Sequence, residues 1–422
     1  MNIPTRIARL SPLVLLSILL SPASAQSNKT IVFLSPQPVT QGYTKTILDL
    51  SQAYTKQKPG VKVQYQNADQ TQLQQQLERL GAADNLPTLF SAPANTQTVQ
   101  LAQKGLLVDI EATFKKLGIY NQLNPAAVSI NKQLFSGKLI ALPLELNIEG
   151  FWYNKKLFAD NGVKEPKTWN ELVTAAEKFK QKGIQPFSAS GEQKWPLTRL
   201  IGNYAARKYG SDVMQRVAKG QLKLTDAGFV EAATAVADLG KKGYFGLGVN
   251  TIDYQTALDT FMQGKAAMLY MGSWALGNFN DPKQNKIGNS NIGFFNFPTV
   301  QGGKGTLNDW NMNTGLVVAI SQKQNDAALQ AWMKSVFSNF GNKAFAEQGL
   351  ITGFKVTQRA QNVPALTTMV QQKINSAKSP FLFFEALFGP KAFAVSLDNV
   401  QPLITGDMSP QDYLRDLQAA QK

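Results

Sequence analysis

The chain has 422 residues and carries 43 lysines and arginines against 28 acidic residues, for a formal net charge of +15. It contains neither histidine nor cysteine, which excludes disulfides, Ser-His-Asp catalysis and Cys-His catalysis, and removes the commonest zinc ligands. The basic residues occur singly or in pairs such as Lys115-Lys116, so they indicate a solvated surface and not a nucleic-acid site.

The N-terminus has the layout of a cleaved secretory signal. Two arginines precede an apolar run over residues 13–20, and the small residues Ala23 and Ala25 are those that signal peptidase accepts. We therefore predict a signal peptide over residues 1–25, a mature protein that begins at Gln26 and a periplasmic location. A buried N-terminal helix is the alternative. The lack of cysteine excludes a lipid anchor on a mature N-terminal Cys.

The first mature residues predict a βαβ unit. Residues 30–34 form a continuous apolar run, which is typical of a strand buried on both faces. Between residues 43 and 58 the apolar side chains recur at steps of three and four, as they do in a helix. Pro59 and Gly60 end this pattern before the alternating segment 61–65.

A later helix start is marked by its capping residues. Thr168 can accept a hydrogen bond from the backbone of Glu171, whose side chain can bond back to Thr168. The length of the chain predicts two lobes, because one core rarely grows to this size. A glycine-rich loop at 301–305 is expected to return the chain to the first lobe. Similar patterns predict the remaining elements, which are helices at 70–80 and 100–109, a third strand ending at Phe90 between them, helices at 196–210, 226–242 and 254–263, a strand at 265–270, and helices at 326–337, 343–348 and 410–418. Alternating strands and helices imply an α/β architecture with its ligand where strands end.

Polar and apolar residues alternate strictly over residues 144–149, so Glu145, Asn147 and Glu149 share one face of an extended segment. We expect this face to look into a cleft; a solvent-facing strand edge is the alternative. The two glutamates could also suggest a secreted glycosidase. Residues four apart on a strand are about 13 Å apart, however, and glycosidase carboxylates need about 5 to 9.5 Å. Carboxylates from distant segments leave that alternative open.

Three spaced motifs occur in a recognisable order: G-K-x-x-A-x-P at 137–143, Y-N-K-x-L-F at 153–158 and P-K-T-W-x-E-L at 166–172. Together they resemble the extracellular solute-binding proteins of sugar ATP-binding-cassette importers, similar to maltodextrin-binding proteins. The resemblance implies a type II periplasmic-binding-protein fold with two discontinuous lobes joined by a hinge. By this resemblance we place the first lobe at 26–146 with 300–340, and the second at 147–299 with 341–422.

The same resemblance implies a function. The lobes would close on a small neutral saccharide or polyol glycoside and deliver it to an inner-membrane ABC permease. The protein would be a monomer without enzymatic activity, and it would need no metal, cofactor or nucleic acid. A binder of a polyamine or an amino-acid derivative is the alternative.

The resemblance also suggests which residues contact the ligand. Trp274, in a G-S-W-A segment, matches a tryptophan that stacks on a sugar ring in maltodextrin-binding relatives; a buried Trp at a helix start is the alternative. Trp310 lies in a polar stretch and is expected to be a loop platform or a cap of the lobe interface. Trp332 is expected in the core. The other expected contact residues are Asn147, Glu149, Glu145, Asp309, Asn308, Gln37, Ser91, Asn95, Glu192 and Trp195.

Overall fold

The computed structural model describes most of the chain. The described parts are Met1 and residues 28–40, 42–69, 72–358, 361 and 363–421. Apart from Met1, the predicted signal peptide lies outside the described residues. Within these described ranges, no helix is both long and apolar enough to cross a bilayer.

The described residues form strands and helices in alternation. The strands are β1 (Lys29–Ser35), β2 (Val61–Asn67), β3 (Leu89–Ala92), β4 (Asn147–Asn154), β5 (Gln185–Ser188), β6 (Ala266–Gly272), β7 (Ile292–Phe295), β8 (Asp309–Asn313), β9 (Val317–Ile320) and β10 (Ser379–Phe381). The helices are α1 (Gly42–Gln57), α2 (Leu73–Ala82), α3 (Thr96–Gln103), α4 (Ile110–Leu117), α5 (Pro125–Leu134), α6 (Lys155–Asp160), α7 (Trp169–Gln181), α8 (Trp195–Tyr209), α9 (Val213–Ala218), α10 (Ala227–Lys241), α11 (Tyr254–Met262), α12 (Leu276–Asn280), α13 (Ala327–Phe337), α14 (Phe340–Gln348), α15 (Ala365–Ser376), α16 (Pro390–Asp398), α17 (Val400–Thr405) and α18 (Pro410–Ala420).

The first lobe is built on a four-stranded sheet with the order β2-β1-β3-β9. β1 pairs in parallel with β2 and β3, and β9 runs antiparallel to β3. Because α1 connects β1 to β2, the predicted βαβ unit is confirmed. Ile31 and Phe33 are fully buried, as expected for a strand that is covered on both faces.

The second lobe is built on a sheet with the order β10-β8-β4-β6-β5, to which β7 is added beside β4. β4 is the central strand: it pairs antiparallel with β8 at its start, with β7 at its end and with β6 on its other edge. Trp152 of β4 is fully buried, and its indole Nε1 donates to the Met271 carbonyl over 3.0 Å. The two mixed sheets confirm the predicted α/β class.

Local signals in the sequence correspond to local structure. The Thr168–Glu171 capping box forms at the start of α7, with both reciprocal hydrogen bonds present. Helix α3 ends before Gly105, whose φ of 74° is the left-handed conformation that glycine adopts without strain.

The predicted lobe boundary at residue 300 is wrong. β8 pairs with β4 and therefore belongs to the second sheet. The glycine-rich loop that was expected to return the chain instead stays on the second lobe, where Gly305 N donates to the Arg207 carbonyl over 2.8 Å. The return to the first lobe runs through residues 314–316 and ends at β9.

The predicted boundary at residue 340 is also wrong. Phe340 and Phe354 lie in the same hydrophobic cluster as Phe33 of β1, so the first lobe extends past residue 354. The chain rejoins the second sheet at β10, which pairs in parallel with β8. In both cases the boundary depends on strand pairing and packing between segments that are distant in sequence.

Candidate functional site

A cavity of about 710 Å³ lies between the two lobes and has the size of a typical small-molecule site. The first lobe contributes residues 93–97 at the end of β3, and the second contributes the start of β4 and the turn after β6. Residues 313–316, which connect β8 to β9, also line it. A ligand in this cavity would therefore contact both lobes and a connection between them.

The start of β4 supplies a polar floor. Asn147 Nδ2 donates to Glu145 Oε2 over 3.4 Å, and Ser273 Oγ donates to Asn147 Oδ1 over 3.1 Å. Gln37, from the first lobe, donates to the other Glu145 oxygen over 3.0 Å. Burial raises the pKa of the Glu145 carboxyl above its ordinary value, while the bonds from Gln37 and Asn147 act in the opposite direction. The floor thus presents carboxyl and amide groups, which together can donate and accept hydrogen bonds.

Arg199, which lines the cavity together with Glu385, joins two buried carboxylates. Its Nε donates to Glu149 over 3.3 Å, and its Nη1 donates to Glu385. Glu149 is fully buried and also accepts from Asn313 Nδ2 over 2.9 Å. Burial raises the pKa of Glu149, and the Arg199 charge opposes that shift. Because Arg199 is shared by two carboxylates, it offers a ligand little unpaired positive charge.

Two tryptophans are among the aromatic residues of the site. Trp274 and Trp195 both line the cavity, and their ring centroids lie 5.6 Å apart with the planes at 63°. Trp274 is partly buried and sits in the single turn that follows β6. Its ring lies against the backbone of Gly272, where an added Cβ would come within 2.0 Å of Cζ3. Glycine at this position therefore leaves room for the indole against the end of the strand.

The structure brings five of the predicted contact residues to the cavity. They are Trp274, Trp195, Asn147, Glu145 and Asn95. Asn95 also caps α3, because its side chain accepts from two backbone amides of the first turn.

Two other predicted residues lie one layer behind the cavity wall. Glu149 is held by Arg199, and Gln37 bonds to Glu145. Ser91 does not line the cavity, contrary to its predicted role. It is fully buried, and its hydroxyl is within hydrogen-bond distance of Tyr43 and Ser35, at 2.9 Å from each.

The predicted loop around Trp310 is wrong. Trp310 is in β8, only 5% exposed, and its ring stacks on Phe294 at 5.6 Å and 20°. The residues around Trp310 are polar, but β8 pairs with β4 and β10, and this pairing places Trp310 in the core. Asn308 and Asp309, at the far end of β8, do not line the cavity; Asp309 Oδ2 instead accepts from Thr306 N over 2.6 Å. Glu192 is exposed in the turn before α8 and does not line it either.

Sequence reasoning missed Arg199, Asn313 and Glu385. A signal for Glu385 was available, because it is the lone acid in the apolar run FLFFEALF at 381–388. A carboxylate in such a run must be buried with a partner or protonated. No comparable local signal marks Arg199 as that partner.

Similarity to known proteins agrees with this geometry. Residues 38–342 match the family of bacterial extracellular solute-binding proteins. The chain belongs to this family. The multiple sugar-binding protein of Streptococcus mutans is 30% identical over 201 residues, which make up 46% of this chain and 46% of that protein. A probable sugar-binding periplasmic protein of Rhizobium meliloti is 27% identical over 223 residues, 52% of each chain. The chain thus spans about half the length of these curated relatives.

Among solved structures, a chitin oligosaccharide binding protein superimposes with a TM-score of 0.80 at 26% identity, covering 93% of this chain and 98% of the other. The predicted family and the predicted two-lobed fold are therefore confirmed. The family consists of extracellular binding proteins and not enzymes.

Proposed function

We propose that this protein captures a neutral saccharide between its lobes and delivers it to an ABC permease. The observation that carries the proposal is the pairing of Trp274 and Trp195 with a polar floor in one interlobe cavity. An aromatic ring covers the apolar C–H face of a sugar, while carboxyl and amide groups bond to its hydroxyls. Several similar proteins are named as sugar-binding or oligosaccharide-binding proteins, which supports the same function.

The charges of the site favour a neutral ligand over a polyamine. A polyamine needs several carboxylates that are free to pair with it. Here Glu149 and Glu385 are paired with Arg199, and burial disfavours the ionised form of Glu145. A saccharide needs no compensating charge, so the same groups can act as hydrogen-bond partners.

Capture would proceed by lobe closure. A ligand shifts the open–closed equilibrium only through the extra contacts that it makes in the closed form. Asn95 on the first lobe and Trp274 on the second give the ligand partners on both lobes. The signal peptide at 1–25 would direct export of the protein, which would act as a monomer. The permease would then recognise the closed form.

Melting of the mature protein with a ligand panel tests this function. A saccharide at a hundredfold excess over its Kd should stabilise the fold by about 2.7 kcal/mol. We expect a higher melting temperature with at least one neutral mono- or oligosaccharide and no change with spermidine or free amino acids. A response to spermidine or an amino acid, without a response to any sugar, would contradict the proposal.

Substitution of Gly272 tests whether the position of Trp274 matters. In Gly272→Ala the new methyl group would overlap the indole, so the ring must move. We expect calorimetry to show about tenfold weaker binding of the stabilising sugar, equivalent to about 1.4 kcal/mol. Gly277→Ala is the matched control, because a Cβ there meets no atom within 4 Å. Equal affinities in the two variants would show that the ring does not contact the sugar.

A further inference from the structure

The lining of the cavity has polar and apolar parts. Apart from the floor, a wall is made by the segment that leads into α16 and by α16 itself; besides its apolar residues, this segment contributes Glu385, which is paired with Arg199. Pro390, Phe393 and Leu397 all line the cavity. They are three and four residues apart, so they lie along one face of α16. Phe383 and Phe388 extend this apolar wall towards Arg199.

Part of this apolar wall is exposed. Phe393 is 43% exposed, although large apolar side chains are mostly buried in the described part of the chain. Exposed apolar surface is unfavourable in water, and a ligand that covers it gains free energy. In the proposed function Trp274 and Trp195 are the platforms for the sugar rings, which leaves this wall to a different part of the ligand.

The first lobe does not provide a partner for this wall. Its apolar residues in the cavity lining are Pro93, Ala94 and Leu134. The other residues that its helices and loops contribute are polar, namely Gln74, Asn95, Thr96 and Gln97. Closure of the lobes would therefore place mainly amide and hydroxyl groups over a wall of phenyl and aliphatic groups.

We infer that the ligand is a saccharide that carries an apolar substituent, such as an acyl or aryl group. Its sugar part lies against Trp274 and the polar floor, and its substituent covers Phe393 and the adjacent face of α16. This inference rests on the proposed saccharide function and names the ligand class more narrowly. It follows from the continuity of the two surfaces within one cavity.

Matched pairs of ligands test the inference by calorimetry. The pairs are the p-nitrophenyl and methyl β-glycosides of glucose, galactose, xylose, N-acetylglucosamine and cellobiose, and the same methyl glycosides with and without a butyryl group on a terminal hydroxyl. We expect the substituted member of at least one pair to bind about tenfold more tightly, equivalent to about 1.4 kcal/mol. In Phe393→Ala the ratio of the two affinities within that pair should fall below about threefold.

Leu247→Ala is the control variant. Leu247 is fully exposed and does not line the cavity, so its removal should leave the ratio unchanged. Saccharide binding without a preference in any pair, or a preference that survives in Phe393→Ala, overturns the inference while the proposed function stands. If no saccharide binds in either form, the proposed function itself fails.

Discussion

Trp274→Ala is expected to lower the affinity for the stabilising saccharide by about 100-fold, equivalent to about 2.7 kcal/mol. The substitution removes the stacking surface at the cavity and the edge contact with Trp195. Since Trp274 is only partly buried, the unliganded protein should melt close to the wild-type temperature. Titration calorimetry and thermal melting of the same preparation measure the two effects separately.

Trp332→Ala is the matched control for this prediction. Trp332 is fully buried in the first lobe, donates from Nε1 to Ser51 Oγ over 3.1 Å and packs edge-on against Phe337. Its truncation should cost about 3 to 5 kcal/mol of stability and leave the affinity of the folded protein unchanged. If Trp274→Ala instead shows that loss of stability with normal affinity, Trp274 belongs to the core and the proposed site is wrong.

Arg199→Met is expected to reduce the free energy of unfolding by about 3 to 5 kcal/mol at neutral pH. The variant keeps an unbranched but shorter and apolar side chain, and it leaves Glu149 and Glu385 buried without their cation. Urea unfolding with a constant m-value measures the loss. Adding Glu149→Gln and Glu385→Gln should recover much of it, because replacing a buried ion group as a whole costs less than removing one partner.

The loss of unfolding free energy caused by Arg199→Met should depend on pH. Burial already raises the pKa of Glu149 above the ordinary 4.5, and losing the opposing Arg199 charge raises it further. For a carboxyl with a raised folded pKa, stability is highest below the unfolded pKa and falls as pH rises through the folded pKa. The variant should therefore lose more stability at about pH 7.5 than at about pH 4.

Arg207 provides the control for the pH effect. Its side chain is fully buried, and its guanidinium donates to the backbone carbonyls of Phe297 and Asp309 and not to carboxylates. Burial lowers its pKa to about 10, so it stays charged from pH 4 to 7.5. Arg207→Met should destabilise the protein with little pH dependence over that range. If the loss of stability depends on pH in the same way in both variants, Glu149 and Glu385 do not depend on Arg199 for compensation of their charge.

The sequence by itself determined the features that depend on neighbouring residues. The Thr168–Glu171 capping box, the left-handed Gly105 and the strand–helix–strand start all follow from contacts within a few positions along the chain. The shared polar face of Glu145 and Asn147 follows from the two-residue period of an extended backbone in the same way. These local patterns, with the spaced motifs, were enough to indicate the α/β class, the family and part of the cavity.

Only the tertiary structure decided which distant segments meet. Trp310 lies among polar residues in the sequence, but pairing of β8 with β4 and β10 places it in the core. The ion pair of Arg199 with Glu385 joins residues 186 positions apart, a separation that no periodicity encodes. The lobe boundaries shifted for the same reason. Strand pairing and buried charge compensation depend on which surfaces the completed fold brings together, and that information is spread over the whole chain.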